Sequence, residues 1–349
     1  MAKLIEPLVA SAVARRLAGD APLVGSYLME RLQRDLETVV PRAEELVAAA
    51  SGIPSPAPVR WALIDRAAWA EANIKGMGRM LAPLAERVDG KLRSVPAPVR
   101  YAQRGVVSVE VGVLLGFVSR RVLGQYDVLV PETADGFVPL YLVGPNLIEV
   151  ERHYNFVPEE FALWVAVHEV THRFQFAGVP WLKQRFFELL ETYMGAIDLD
   201  PRNLAERLAG AARRLMDGSM PAEERSPVYL LASDEQRSTL DSLQALMAVV
   251  EGHGNYVMDT VGAQVIPSFA RMKRLFERRR EQVNAVQRAI NYVIGLEMKL
   301  RQYEIGQAFC EKVAADGGPS ALARLWESPE SFPSMAELRE PVSWLRRVA

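Results

Sequence analysis

The sequence predicts a predominantly helical α+β fold in which one unusually apolar helix packs beside a small β-sheet. Three observations carry that expectation. Apolar residues recur at three- and four-residue steps over most of the chain, the mark of helices with one buried face. Short β-prone runs bounded by Gly, Pro and Asn are confined to one stretch, between Tyr126 and Tyr154. Directly after that stretch comes a helical segment that is apolar nearly all round yet contains His168, Glu169 and His172.

The elements follow in chain order. Residues 8–17, 27–50 and 61–88 have helical period, with Pro and Gly punctuation between them. Two Pro-rich joints, 53–60 and 95–100, share Pro-Ala-Pro-Val-Arg, but the residues that follow differ, so they read as linkers and not as a repeat. Val128-Leu129-Val130, the run 137–143, a Gly144-Pro145-Asn146 turn and the run 147–150 read as strands closing in a hairpin. Helix returns at Pro158, where proline in the first turn and Glu159-Glu160 behind it suit a helix start. Residues 238–261, 267–283 and 286–313 are helical again, and a turn-rich tail closes the chain. These patterns divide the chain into an N-terminal helical region, 1–98, and a metal-binding region, 99–349, or join them in one continuous domain.

Composition narrows the chemistry. The 349 residues supply ample core without metal or disulfide staples. The single cysteine, Cys310, excludes an internal disulfide and any cysteine-built zinc or iron–sulfur cage, so a metal must be held by His and carboxylates. A formal charge of −2 gives no reason to expect nucleic acid or an anionic membrane as partner. The basic run 271–280 contains Glu277 and reads as a solvated helix face. The N-terminus resembles an amphipathic helix more than an export signal. The apolar run 106–118 is interrupted by Glu110 and falls short of the roughly 20 residues that a membrane span needs. The expectation is a soluble, cytoplasmic protein.

His168-Glu169-Val170-Thr171-His172 is an H-E-x-x-H pattern. Residues four apart lie about 40° apart around a helix, so both imidazoles project from one face toward one cation, and Glu169 can reach a water held there. Zinc in such a site lowers the pKa of its water to about 7, and the neighbouring carboxylate takes the proton as water attacks a polarised carbonyl. The bland alternative is a pair of core histidines hydrogen-bonded to neighbours, with Glu169 in an ion pair. A catalytic zinc site usually adds a third protein ligand. Glu191 follows His172 at a spacing that some zinc aminopeptidases use, but it points roughly 150° away from the apolar stripe of its helix. Glu251 sits at the edge of such a stripe, flanked by Met247 and Met258, and is the favoured ligand. Gly252 and Gly254 beside it each cost about 1 kcal/mol in a helix, which suggests close approach by another element, the metal helix being the natural choice. His253 is about 160° from Glu251 around the helix, so only one of them can join the site. Asn255, one turn beyond Glu251, is either a ligand-orienting amide or a surface one.

With these residues go Asp65, Trp69 and Asn73, the run Leu123-Gly124-Gln125-Tyr126-Asp127, Arg173 to Leu182, and Lys299-Leu300-Arg301-Gln302-Tyr303 with Gly306. Together they resemble a zincin-like family described as hydrolases or zinc-dependent metalloproteases, some named for an association with deazaflavin-cofactor biosynthesis in actinobacteria and relatives. The resemblance covers most of the chain. It implies that His168, Glu169 and His172 are the family's metal-site residues, and its Glu-Gly motif falls on Glu251-Gly252 and favours Glu251 as ligand. The expected activity is hydrolysis of a peptide or amide bond; a scaffold that keeps the site without turnover, or a hydrolase of a small-molecule amide, are the alternatives. An oxyanion donor is expected of such a mechanism, and Tyr303 or His253 could supply it. Asp127 and Gln125 suit turn-stabilising roles better, and His153 has no role.

Overall fold

The computed structural model describes residues 4–19, 23–57, 60–91, 95–129, 140–196, 209–210, 213, 232–281 and 296–349. The described chain is α+β and mostly helical, with a three-stranded sheet. It forms two compact units, one of residues 1–46, 57–173 and 266–268, the other of 47–56, 174–265 and 269–349.

In the first unit, helices α1 (Pro7–Ala18), α3 (Arg66–Met80) and α5 (Ala97–Ser119) enclose a core of Ile5, Ala10, Ala14, Trp69, Ile74 and Leu115. Helices α2 (Tyr27–Ala50, which continues into the second unit) and α4 (Ala82–Lys91) complete its N-terminal part. Small residues bring the α1 and α5 backbones close. A Cβ at Gly112 would stand 2.6 Å from the Ala10 carbonyl oxygen, and one at Gly116 would stand 2.8 Å from Leu17 Cβ. Strands β1 (Trp61–Ile64), β2 (Gly124–Tyr126) and β3 (Leu140–Val143) pair in the order β1-β3-β2, with β1 parallel and β2 antiparallel to β3.

Two sequence expectations change here. Trp61–Ile64 is a strand and not the start of a helix, because Asp65 caps α3 through its carboxylate, which accepts from Ala68 N at 2.7 Å. That cap places the preceding residues in extended chain alongside β3. Likewise Gly144-Pro145-Asn146 is not a hairpin turn. It opens helix α6 (Gly144–Tyr154), where proline in the first turn loses no needed N–H. Asn146 is a buried hub: its amide donates to the Ser119 and Val122 carbonyls at 2.7 and 2.6 Å, and its oxygen accepts from Arg66 Nε at 2.6 Å. Val130 and residues 137–139 of the expected strands lie outside the described residues.

The apolar run around Glu110 lies in α5, the one helix among the described residues that is long and apolar enough to cross a membrane by length and composition, a test that a core helix of a soluble protein also meets.

The second unit contains α8 (Pro180–Gly195), α9 (Asp234–Val265), α10 (Phe269–Glu281), α11 (Leu296–Gly317), a 3-10 segment (Pro319–Trp326), α12 (Met335–Arg339) and α13 (Pro341–Arg347). Of the helix expected over 286–313, residues 286–295 lie outside the described residues. The glycine in Glu251-Gly252 is explained by α11 and not by the metal helix. A Cβ on Gly252 would lie 2.1 Å from the Gly306 carbonyl carbon, and one on Gly306 would lie 1.8 Å from the Ala248 oxygen. Only two glycines allow α9 and α11 to cross backbone to backbone at that point.

Candidate metal site

Helix α7 (Pro158–Gly178) carries the H-E-x-x-H residues. Its start is fixed by Glu160, whose carboxylate accepts from the Ser268 N–H at 3.0 Å and from the Ser268 hydroxyl. From Phe161 to Val167 every residue is buried. A helix so enclosed must compensate each polar group that it carries. Thr171 donates its hydroxyl back to the Val167 carbonyl at 2.7 Å. Arg173 donates to Glu44 at 2.5 Å; burial pushes its guanidinium pKa down, and the Glu44 carboxylate acts against that.

Half-buried His168 and His172 turn their Nε2 atoms toward each other at 3.1 Å, with ring planes at 81°. Glu169 is 7% exposed and rests against β2. A Cβ on Gly124 would stand 2.6 Å from Glu169 Cγ and 2.9 Å from its carboxyl carbon. Glycine at 124 thus leaves the volume in which the Glu169 carboxylate sits. That role was not foreseen from the sequence, where Gly124 was only part of a motif.

On α9, Glu251 is 9% exposed. One ligand atom each from His168, His172 and Glu251 lie within 4.8 Å of one another. The last turn of α7 is fixed to α9 by Gln175, whose amide donates to the Val250 carbonyl at 2.9 Å and lies 3.1 Å from His253 Nδ1. His253 is fully buried, its ring edge-on to Trp326 at 4.9 Å, and Trp181 Nε1 donates to the Trp326 carbonyl at 3.1 Å.

The other sequence candidates fall as follows. Glu191 is exposed on α8. Asn255 is buried, so it is not a surface amide. Tyr303 belongs to α11, but its side chain lies outside the described residues. Asp127 accepts from Leu129 N at 3.1 Å, and Gln125 exchanges amide hydrogen bonds with Asn73, both stabilising the chain around β2. Cys310 is buried, which raises its thiol pKa far above the ordinary value, and His153 is exposed near the end of α6.

The donor set fits zinc. Two imidazole nitrogens about 2.0–2.1 Å from one tetrahedral ion stand roughly 3.3 Å apart, and here the separation is 3.1 Å. Two imidazoles and one carboxylate also leave a fourth position for water. An enclosed helix with paired imidazoles and an intervening carboxylate is the arrangement of a zincin metal helix. The chain belongs to the zincin-like metallopeptidase family, whose profile matches residues 5–345. A solved structure from Chloroflexus aurantiacus, described as a candidate hydrolase with a novel fold, is 32% identical and superposes with a TM-score of 0.72, covering 98% of each chain. No protein among the curated ones matches.

Proposed function

We propose that this chain is a zinc-dependent hydrolase of peptide or amide bonds, with His168, His172 and Glu251 as the zinc ligands and Glu169 as the general base. The observation that carries this reading is the convergence of two imidazole nitrogens and a carboxylate within 4.8 Å, beside a buried, non-ligating glutamate. A bound zinc ion would polarise the scissile carbonyl and lower the pKa of water to about 7. Glu169 takes the proton of the attacking water and hands it to the departing nitrogen. Gly124 keeps that carboxylate in place by leaving it room. Because β2 is an edge strand and Gly124 lies on it, an extended substrate adding to that edge would run past Glu169. His253 is not free to serve as oxyanion donor, since Gln175 and Trp326 enclose its ring. A cytoplasmic setting, where a lone cysteine stays reduced, suits this reading.

Metal analysis of wild type and Glu169→Gln, with turnover measured on a peptide and amide library, tests this reading. Both proteins should hold one zinc, and the variant should lose about 10²- to 10⁴-fold in turnover. Absence of zinc, or hydrolysis that survives the substitution unchanged, would sink the mechanism. Stoichiometric zinc in a wild type that cleaves nothing would favour a metal-holding scaffold.

A further inference from the structure

We propose that the outward face of the α1/α5 helix pair docks on an anionic lipid surface. Among the described residues twelve large apolar side chains stand exposed, and nine of them lie on α1 or α5. Leu8 is 87% exposed and Val106 58%. Only 28% of the apolar stretch of α5 is buried. A soluble monomer rarely leaves so many neighbouring apolar side chains to water without a use for them.

The pairing of the helices shapes this surface. Glu6 N donates to Ser108 Oγ, Ala10 meets Gly112 and Ala14 meets Gly116, so α1 and α5 run parallel. On α5, Val106, Val109 and Val113 follow one another at three- and four-residue steps and share a face, opposite buried Ser108 and Leu115. On α1, Val9, Val13 and Leu17 are one turn apart, with Val13 and Leu17 against Gly112 and Gly116. The two rows therefore flank one shallow, elongated apolar surface. Glu110 shares that exposed face, about 40° from Val106 and about 60° from Val113, and sets one carboxylate among the valines.

Charge decides the occupant. Because the helices are parallel, their C-terminal ends lie together and bring Arg15 and Arg16 near Arg120 and Arg121. Arg100 and Arg104 stand toward the other end of α5, the latter bound to Asp89 at 2.8 Å. Against these six arginines stand Glu6 and Glu110 on the two helices and their caps, together with Glu71, 3.9 Å from Arg15, and Asp89 on Arg104, which leaves a local formal charge of +2 on a chain whose total is −2. A second copy of the chain would set this basic surface against itself, whereas anionic headgroups neutralise it while the valines enter the acyl boundary. The helix lies along the surface and does not cross it, because its Ser108, Gly112, Leu115 and Ser119 side is packed into the first unit.

The test is sedimentation of the full chain with phosphatidylcholine vesicles, with and without phosphatidylglycerol, at low and high salt. Wild type should sediment roughly tenfold more with the anionic vesicles, and high salt should remove most of that preference. Arg16→Glu with Arg120→Glu should abolish the preference, and Val106→Asp with Val113→Asp should weaken binding roughly tenfold. The altered side chains are exposed, so melting curves and zinc content of both variants should match wild type. Equal sedimentation with both vesicle types, or none with either, would overturn the proposal. So would a wild-type dimer that the valine variant splits while no vesicle is bound.

Discussion

Helix α7 keeps His168, Glu169 and His172 among side chains as apolar as Phe161 and Phe174, while α5 holds Val106, Val109 and Val113 out to water although a packed core lies on its other side. Each departs from ordinary burial, in opposite directions. Retaining ionisable groups inside costs desolvation free energy that only partners or a metal offset. Exposing a valine row costs little stability but invites association. The contrast teaches that departures of either sign point to function, chemistry in one helix and docking in the other.

Glycine substitutions probe how tightly each region is built. The largest effect is expected at the α9–α11 crossing beside Glu251, where Gly252→Ala has no space and should cost about 3 kcal/mol or prevent folding, as read by chemical denaturation. A variant as stable as wild type would mean that the crossing relaxes freely. A smaller effect is expected at Gly124→Ala. It should keep its zinc and its melting curve to within about 1 kcal/mol, yet lose about 10- to 100-fold in kcat because the Glu169 carboxylate is displaced. Unchanged kcat in an otherwise active enzyme would show that the carboxylate needs no such seat. The smallest effect, and one of opposite sign, is expected on α5: Gly105 has open space around a Cβ, so Gly105→Ala should stabilise by about 0.5–1 kcal/mol. A loss of stability there would argue that something already covers that helix.

What could be read from the sequence was mostly local. His168, Glu169 and His172 are legible because helical spacing alone puts two imidazoles on one side. Glu251 was legible as a carboxylate at the edge of an apolar stripe, and Gly252 as a close contact, although the neighbour proved to be Gly306. Gly124 was hidden because its role depends on Glu169, which the sheet brings to it through tertiary packing. Trp61–Ile64 is four apolar residues, too short for its period to separate strand from helix. Gly144-Pro145-Asn146 has the composition of a turn, yet proline in a first helical turn is equally at home. The exposed face of α5 was out of reach for another reason. Periodicity shows that a helix has apolar stripes, but not which of them the rest of the chain will cover.

The central claim is that Glu251 joins the two histidines around one zinc ion while Glu191, the alternative carboxylate, stays in solvent. Its most direct test is zinc content after dialysis against a weak chelator, compared between Glu251→Ala and Glu191→Ala. Replacing groups that merely support a ligand typically costs 10–100-fold in metal affinity, so loss of a ligand should cost at least roughly that much. Zinc should be lost from Glu251→Ala and retained at wild-type stoichiometry by Glu191→Ala. Equal zinc in the two variants, or loss from Glu191→Ala alone, would contradict the account.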